Sequence, residues 1–291
     1  MEDKTVISIE TVIDFIESHL DGKLELETIA NAVHYSKYHL HRMFTDTVGM
    51  TIHDYALRRQ LTEAAKLLVF SEKPVIEIAF ICGYESQQAF TAAFKSMYKL
   101  PPAEYRERRA FYPLQLRFSL HRKGMDTEFS KSNIRCAKTE DIPAWMEIVR
   151  LVIDGYPCLD EADYLRKLND AIKDKTALIF NDGDTMIGVM VFSYDTGNID
   201  IDFMGIHPQY RNRGIQKIFL DKLMEDMLPG REISVTTYRS GDRADTGYRK
   251  ELQALGFAER ELLVEYGYPT QRFVRPPKCK EDLANGEQTT N

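Results

Sequence analysis

The fold of the first hundred residues is decided by the stretch YSKYHLHRMF at residues 35–44. A related stretch, YESQQAFTAAF, follows at residues 84–94. In each copy, hydrophobic residues are spaced three and four apart, the pattern of an amphipathic helix. A shorter helix and a turn precede each copy, so the sequence predicts a helix-turn-helix that occurs twice. A long amphipathic helix over 51–68 is predicted to connect the two.

The two copies, with Gly83 at the second turn and Pro101-Pro102 ahead of Tyr105-Arg106, resemble the AraC/XylS family of DNA-binding domains. More narrowly they are similar to its MarA/SoxS/Rob group. The resemblance implies that two helices enter successive major grooves of promoter DNA. Arginine and glutamine suit base reading because both offer paired hydrogen bonds to purine edges. The candidate DNA-binding residues are Tyr38, His41, Arg42, Gln87, Gln88 and Thr91.

Basic residues on the connecting helix, among them Arg58 and Arg59, are expected to contact DNA phosphates. Overall charge gives no such indication, because the chain carries a net charge of −7. Any binding of nucleic acid must therefore depend on local arrangement.

The composition agrees with a globular protein of about two domains. The 291 residues are 43% hydrophobic and 29% charged, enough for two cores. No run of 18 apolar residues predicts a membrane span, and the four cysteines lack the Cys-x-x-Cys spacing of a zinc site. We therefore expect a cytoplasmic protein with no membrane partner and no metal.

Beyond residue 132 the hydrophobic period alternates between 2 and 3.6, which is typical of an α+β domain. The predicted domains are an all-α double helix-turn-helix at 1–112, a linker at 113–132, an α+β domain at 133–275 with a central mixed, mostly antiparallel sheet, and a disordered tail at 276–291. Strands are predicted over 133–137, 176–181, 185–194, 199–206, 232–238 and 258–267. Helices are predicted over 141–153, 161–174, 214–227 and 245–254.

One of these strands ends at Ile206, and the stretch HPQYRNRGIQ at residues 207–216 leads into a helix. Backbone amides at a helix start bind phosphate, and a glycine lets a ligand approach the backbone closely. Together with LGF at 255–257, the stretch resembles motifs A and B of the GNAT acetyltransferase superfamily. The resemblance implies that acetyl-CoA binds, with its pantetheine arm between splayed strands at 199–206 and 232–238. The implied cofactor-binding residues are Ile206, Arg211, Asn212, Arg213, Gly214, Ile215 and Gln216.

Acetyl transfer to an amine needs a base for the amine proton, and an acid can protonate the leaving thiolate. Asp200 and Asp202 share one face of a predicted strand and are the candidate bases, with solvated or ion-paired surface carboxylates as the alternative. Tyr248 is the candidate acid, because Leu252 occupies the position of the superfamily's usual tyrosine. Gln216 stands where the GNAT pattern has a small residue, so it crowds the site unless its side chain turns outward.

Two functions remain open at this point. In the first, the chain is a transcription regulator that also carries an acetyl-CoA-dependent N-acetyltransferase acting on an amine. In the second, the GNAT-like domain of that regulator is a non-catalytic sensor of acyl-CoA or of another small-molecule effector. RNA polymerase is an expected further partner in both.

Overall fold

The computed structural model describes residues 3–121, 128–152, 160–265 and 268–277. Contacts between backbone positions divide the chain into two units. The first comprises 1–128, 143–161 and 206–213, and the second comprises 129–142, 162–205 and 214–291. Most of the tail predicted at 276–291, and residues 122–127 of the predicted linker, lie outside the described residues.

The N-terminal part of the first unit is helical, as predicted. Its helices are α1 (Asp3–Glu17), α2 (Leu26–Ala32), α3 (Lys37–Val48), α4 (Ile52–Phe70), α5 (Val75–Ile81), α6 (Gln87–Tyr98) and α7 (Pro102–Arg108). The pairs α2–α3 and α5–α6 are the two predicted helix-turn-helix motifs. A later helix, α8 (Ile142–Val152), lies almost entirely in the same unit.

The repeat in the sequence is also a repeat in local structure. Ser36 caps α3 by accepting a hydrogen bond from the amide of His39, and Ser86 caps α6 in the same way through Ala89. Such a serine satisfies one of the backbone amides that a helix start leaves unpaired. Within the two helices, the matched residues Phe44 and Phe94 are both fully buried. One set of residue types therefore sets both the start and the buried face of each copy.

The expectation that Arg58 and Arg59 contact phosphates is wrong, because α4 buries both side chains. The Arg59 guanidinium donates to both carboxylate oxygens of Glu17 at 2.8 Å and to the carbonyl of Gln115 at 3.0 Å. A buried charge is stable only when it is paired and hydrogen-bonded, as here. Arg59 thus ties α4 to α1 and to the segment that follows α7.

That segment includes the described part of the predicted linker, and it contributes to the hydrophobic core. Leu114, Phe118 and Leu120 are buried, and the Phe118 ring lies 5.1 Å from that of Tyr55 on α4. The domain boundaries at 112 and 133 stay a prediction.

The second unit contains a sheet of seven strands in the order β1-β2-β3-β4-β5-β7-β6. The strands are β1 (Ile134–Cys136), β2 (Ala177–Asp182), β3 (Thr185–Tyr194), β4 (Asn198–Ile206), β5 (Glu232–Tyr238), β6 (Ala258–Glu265) and β7 (Tyr268–Arg275). The pairs β1–β2, β2–β3, β5–β7 and β6–β7 are antiparallel, whereas β4 and β5 are parallel. This confirms the predicted mixed, mostly antiparallel sheet.

The remaining helices are α9 (Glu161–Lys173), α10 (Ile215–Asp221) and α11 (Tyr248–Ala254). The helix predicted over 214–227 begins as α10 and continues as a π-helix over Lys222–Met227. Strand β7 was not predicted; it contains Pro269, a residue that is uncommon inside a sheet. No helix among the described residues is long and apolar enough to cross a membrane.

Candidate functional site

The predicted base-reading residues lie on the outer faces of α3 and α6. Tyr38 is 80% exposed, and His41 and Arg42, one turn further along α3, are exposed as well. On α6, Gln87 and Gln88 are exposed. Thr91, one turn later, is half-buried. These side chains are held on helices whose other faces are packed into the core, so they are presented outward on rigid supports.

In the second unit, the parallel strands β4 and β5 part midway along their length. Their pairing within the described chain runs from Asn198 opposite Glu232 to Ile201 opposite Val235. Beyond that point β4 continues to Ile206, and β5 continues to Tyr238 while still paired with β7. Unpaired backbone groups in the interior of a sheet need other partners. The parted ends of β4 and β5 thus form the splay that was expected from the sequence.

The two candidate bases have different surroundings. Asp200 accepts hydrogen bonds from the hydroxyl of Ser234 and, at 2.8 Å, from the side chain of Asn198. Arg272 lies 3.9 Å from the same carboxylate. Because these contacts use the carboxylate oxygens of Asp200, they favour a structural role for this residue.

Asp202 is the first β4 residue beyond the last parallel pair. Its carboxylate accepts a hydrogen bond of 3.3 Å from Ser193. Solvent reaches its side chain, yet the surrounding protein atoms raise the pKa of this carboxyl, and the negative charge of Asp200 adds to the effect. A carboxylate with a raised pKa, placed where the strands part, has the properties of a general base.

The boundary between the two units falls inside the predicted cofactor loop, after Arg213. Ile206, Arg211, Asn212 and Arg213 therefore belong to the first unit, where 208–213 form a 3-10 helix. That short helix packs against α3.

Gly214, Ile215 and Gln216 belong to the second unit and start α10. Gly214 has a φ of +72°, and a Cβ at this position would meet no atom within 4 Å. No side chain caps the start of α10. Gln216 is buried, and its side chain reaches toward α11, where it donates to Glu251 at 3.1 Å.

The candidate acid Tyr248 is the first residue of α11. Burial raises the pKa of its hydroxyl, and the charge of Glu251 raises it further. A phenol with a raised pKa donates a hydrogen bond but is a poor proton donor to a thiolate, whose conjugate thiol has a much lower pKa. Leu252, at the usual tyrosine position, is buried in the core.

Sequence reasoning missed the residues that hold these groups. Ser234 and Ser193 bind the two aspartates from neighbouring strands, and Glu251 binds Gln216 from α11. Such contacts depend on strand register and helix placement, for which the residue types give no signal. Among the described residues, no group of three histidine, cysteine or acidic side chains could hold a metal ion.

Comparisons with known proteins agree with both resemblances. A family model described as a helix-turn-helix domain matches residues 29–108, and one described as the acetyltransferase (GNAT) family matches residues 145–252. The multiple antibiotic resistance protein MarA of Escherichia coli is 38% identical over 114 residues, covering 37% of this chain and 90% of MarA.

Two further matches cover different parts of the chain. The HTH-type transcriptional regulator YbfP of Bacillus subtilis is 41% identical over 99 residues, so this chain spans about a third (34%) of YbfP's length. A solved GNAT-family acetyltransferase from Streptococcus agalactiae is 15% identical, covers 50% of this chain and 95% of that chain, and superposes with a TM-score of 0.43. Given the match to nearly all of MarA and the two family models, the chain belongs to the AraC family of helix-turn-helix proteins and joins that domain to one of the GNAT family.

Proposed function

We propose that the chain is a transcription regulator that binds promoter DNA through α3 and α6 and binds acyl-CoA through its GNAT domain. The DNA-binding part is supported by the outward faces of the two recognition helices, on which Arg42 and Gln88 stand in matched motifs. A regulator acts where its DNA is, so we place it in the cytoplasm, with RNA polymerase as a further partner.

The DNA-binding proposal is tested by selection from a randomised duplex library with the purified full-length protein. Two helices that read successive grooves should enrich a sequence with two conserved elements about one helical turn apart, ~10 base pairs. Enrichment of no sequence, with binding that depends on salt alone, would contradict direct reading of bases.

The observation that carries the acyl-CoA proposal is the parting of β4 and β5 beyond Ile201 and Val235. An extended chain with amide groups can pair with unpaired strand backbone as an added strand does. The pantetheine arm of acyl-CoA is such a chain. The uncapped start of α10 after Gly214 supports binding of the pyrophosphate by residues 211–216, because helix-start amides favour anions.

We further propose that the domain transfers the acyl group to an amine. The amine nitrogen forms a bond to the thioester carbonyl carbon, Asp202 accepts the amine proton, and the carbon–sulfur bond breaks. The coenzyme leaves as a thiolate, which water protonates, since Tyr248 is poorly suited to that step. Backbone amides near Met204–Ile206 would stabilise the negative charge on the carbonyl oxygen. The acceptor amine and the preference for acetyl over other acyl groups belong to this proposal.

A sensor without catalysis is the second candidate, and the state of Tyr248 favours it. A domain that binds acyl-CoA without an effective acid to protonate the leaving thiolate can report the ligand without consuming it. The two candidates differ in whether coenzyme A thiol is released.

Both are tested by calorimetric titration with acetyl-CoA, followed by a thiol-release assay over a panel of amines. Binding with thiol release supports the transferase, and binding without release from any amine supports the sensor. Absence of binding would contradict both.

A further inference from the structure

The two recognition helices end in the same backbone conformation but with different residues. Gly49 ends α3 with a φ of +75°, and Lys99, its counterpart in the second repeat, ends α6 with a φ of +60°. The amide of each cap residue bonds back to the helix in the same way, Gly49 to Thr45 and Lys99 to Lys95. Because a lysine adopts this left-handed conformation in the second copy, the conformation alone does not account for the glycine in the first.

Close packing accounts for it. A Cβ placed on Gly49 would lie 2.9 Å from Cδ of Arg211, closer than real Cβ atoms come, and 3.2 Å from its Cβ, so the Arg211 side chain would have to move. The aliphatic part of the Arg211 side chain thus occupies the space that a side chain at position 49 would need. Arg211 is one of the residues proposed to bind the acyl-CoA pyrophosphate.

The rest of the segment 206–213 is fixed to the same unit. The side chain of Gln209 accepts from the amide and donates to the carbonyl of His121, both at 2.7 Å. His207 is buried, and its Nε2 lies 3.1 Å from the carbonyl oxygen of Ser119. Burial lowers the pKa of His207 to about 3, so the ring stays neutral and donates through Nε2. Three hydrogen bonds therefore hold this half of the loop to residues 119–121 of the same unit.

We propose that acyl-CoA is the effector of this regulator, and that its binding at the loop lowers the affinity of α3 for DNA. The inference rests on the proposed acyl-CoA site. A pyrophosphate bound at the backbone amides of residues 211–216 displaces the backbone of Arg211, whose side chain packs on Gly49 at the end of a helix that reads DNA. The ligand also brings several negative charges to the unit that must approach the DNA phosphates. A ligand that interacts differently with two states shifts the balance between them.

The coupling is measured on the full-length protein with a duplex selected from the randomised library. Fluorescence anisotropy should show the Kd for DNA rising at least about fivefold when acetyl-CoA is saturating. Calorimetry should show the Kd for acetyl-CoA rising by the same factor when DNA is bound, because coupling between two binding sites is reciprocal. If acetyl-CoA binds but the Kd for DNA is unchanged or falls, the inference is wrong. If acetyl-CoA does not bind at all, the proposed site itself is wrong.

A matched pair of variants isolates the Gly49–Arg211 contact. Gly49→Ala places a Cβ where Arg211 packs. Gly230→Ala is the control, because Gly230 has a similar left-handed conformation, with a φ of +79°, and a Cβ there would meet no atom within 4 Å. Coupling should fall to less than twofold in Gly49→Ala and keep its wild-type value in Gly230→Ala. Equal coupling in the two variants would overturn the role of this contact.

Thermal unfolding of both variants shows whether each one folds. A second measurement, hydrogen exchange, uses only the wild-type protein, so its result does not depend on whether Gly49→Ala folds. Addition of acetyl-CoA should change hydrogen exchange of the amides at 45–49, at the end of α3. Unchanged exchange there, with acetyl-CoA bound, would overturn the inference.

Discussion

The side-chain amide of Gln216 donates a hydrogen bond to a carboxylate oxygen of Glu251 at 3.1 Å. Gln216 lies in the first turn of α10, which follows β4, and Glu251 lies in the first turn of α11, which follows β5. The bond therefore joins the two helices that follow the two parting strands.

Glu251→Gln should tighten acetyl-CoA binding. The amide can keep a hydrogen bond to Gln216 while it removes a negative charge close to the loop proposed to hold the pyrophosphate. A gain of about 0.5–1 kcal/mol in binding free energy is expected, since charge interactions near a surface have this size. Calorimetry should show the gain shrinking in about 1 M salt, where such interactions are screened. Glu261→Gln, on exposed strand β6, is the control, and an equal gain there would contradict a local effect.

Gly214→Asp should weaken acetyl-CoA binding at least about tenfold more than Gly214→Asn, a difference of about 1.4 kcal/mol. Both residues tolerate the left-handed conformation, and both find open space at this position. Only the aspartate adds negative charge beside the proposed pyrophosphate site. Calorimetry compares the two affinities, and thermal unfolding checks that both variants fold. Equal losses would point to steric exclusion rather than charge.

Arg42→Lys should lower sequence specificity more than it lowers affinity. The lysine keeps the positive charge near the DNA but loses the planar pair of donors that matches a guanine edge. About 1–3 kcal/mol of discrimination should be lost at one base pair, as measured on single-substitution duplexes. Lys95→Ala, on the exposed face of α6, should instead weaken all duplexes alike. A uniform effect of Arg42→Lys would mean that Arg42 contacts the backbone.

Arg59→Ala should destabilise the first unit by about 3–5 kcal/mol, because it leaves the carboxylate of Glu17 without its buried partner. The exposed fractions of the two side chains are 9% and 17%, so water can replace little of the lost interaction. Urea unfolding gives the change in free energy. The matched variant Lys66→Ala removes an exposed charge of the same helix and should cost less than about 0.5 kcal/mol. Equal costs would show that the Arg59–Glu17 pair adds nothing.

Local patterns predicted most of the fold. The two related stretches at 35–44 and 84–94 indicated where α3 and α6 lie, because capping and amphipathic spacing are properties of a few neighbouring residues. Strand β7 was not predicted. It contains Pro269, and its pairing with β5 and β6 depends on residues that are distant in the sequence. The burial of Arg59 escaped it as well, because its partner Glu17 lies 42 positions away.

The candidate site was also predictable only in part, because some of its features depend on neighbouring residues and others on contacts between distant ones. The turn at Gly214 and the strand that carries Asp202 follow from local sequence. The distinction between Asp200 and Asp202 does not, because it depends on Ser234 from a neighbouring strand. Nor could the sequence show that Gly49 serves a contact with Arg211, since the left-handed cap alone is compatible with a glycine there.

Asp202→Asn should reduce acyl transfer by about 10²–10⁴-fold if Asp202 is the general base. A base acts only when deprotonated, and the pKa of Asp202 is raised above its ordinary value. The ratio of wild-type to variant rates should therefore rise about tenfold per pH unit below that pKa and level off above it. Taking the ratio at each pH cancels the ionisation of the acceptor amine, which both proteins share.

Asp200→Asn is the matched control for this profile. It removes the negative charge that helps to raise the pKa of Asp202, so the rise in rate should persist but move to lower pH. The thiol-release assay, run from acidic to neutral pH with one amine, measures all three proteins. A ratio for Asp202→Asn that stays constant across this range would exclude Asp202 as the base. A rise that disappears in Asp200→Asn and persists in Asp202→Asn would assign the base to Asp200 instead.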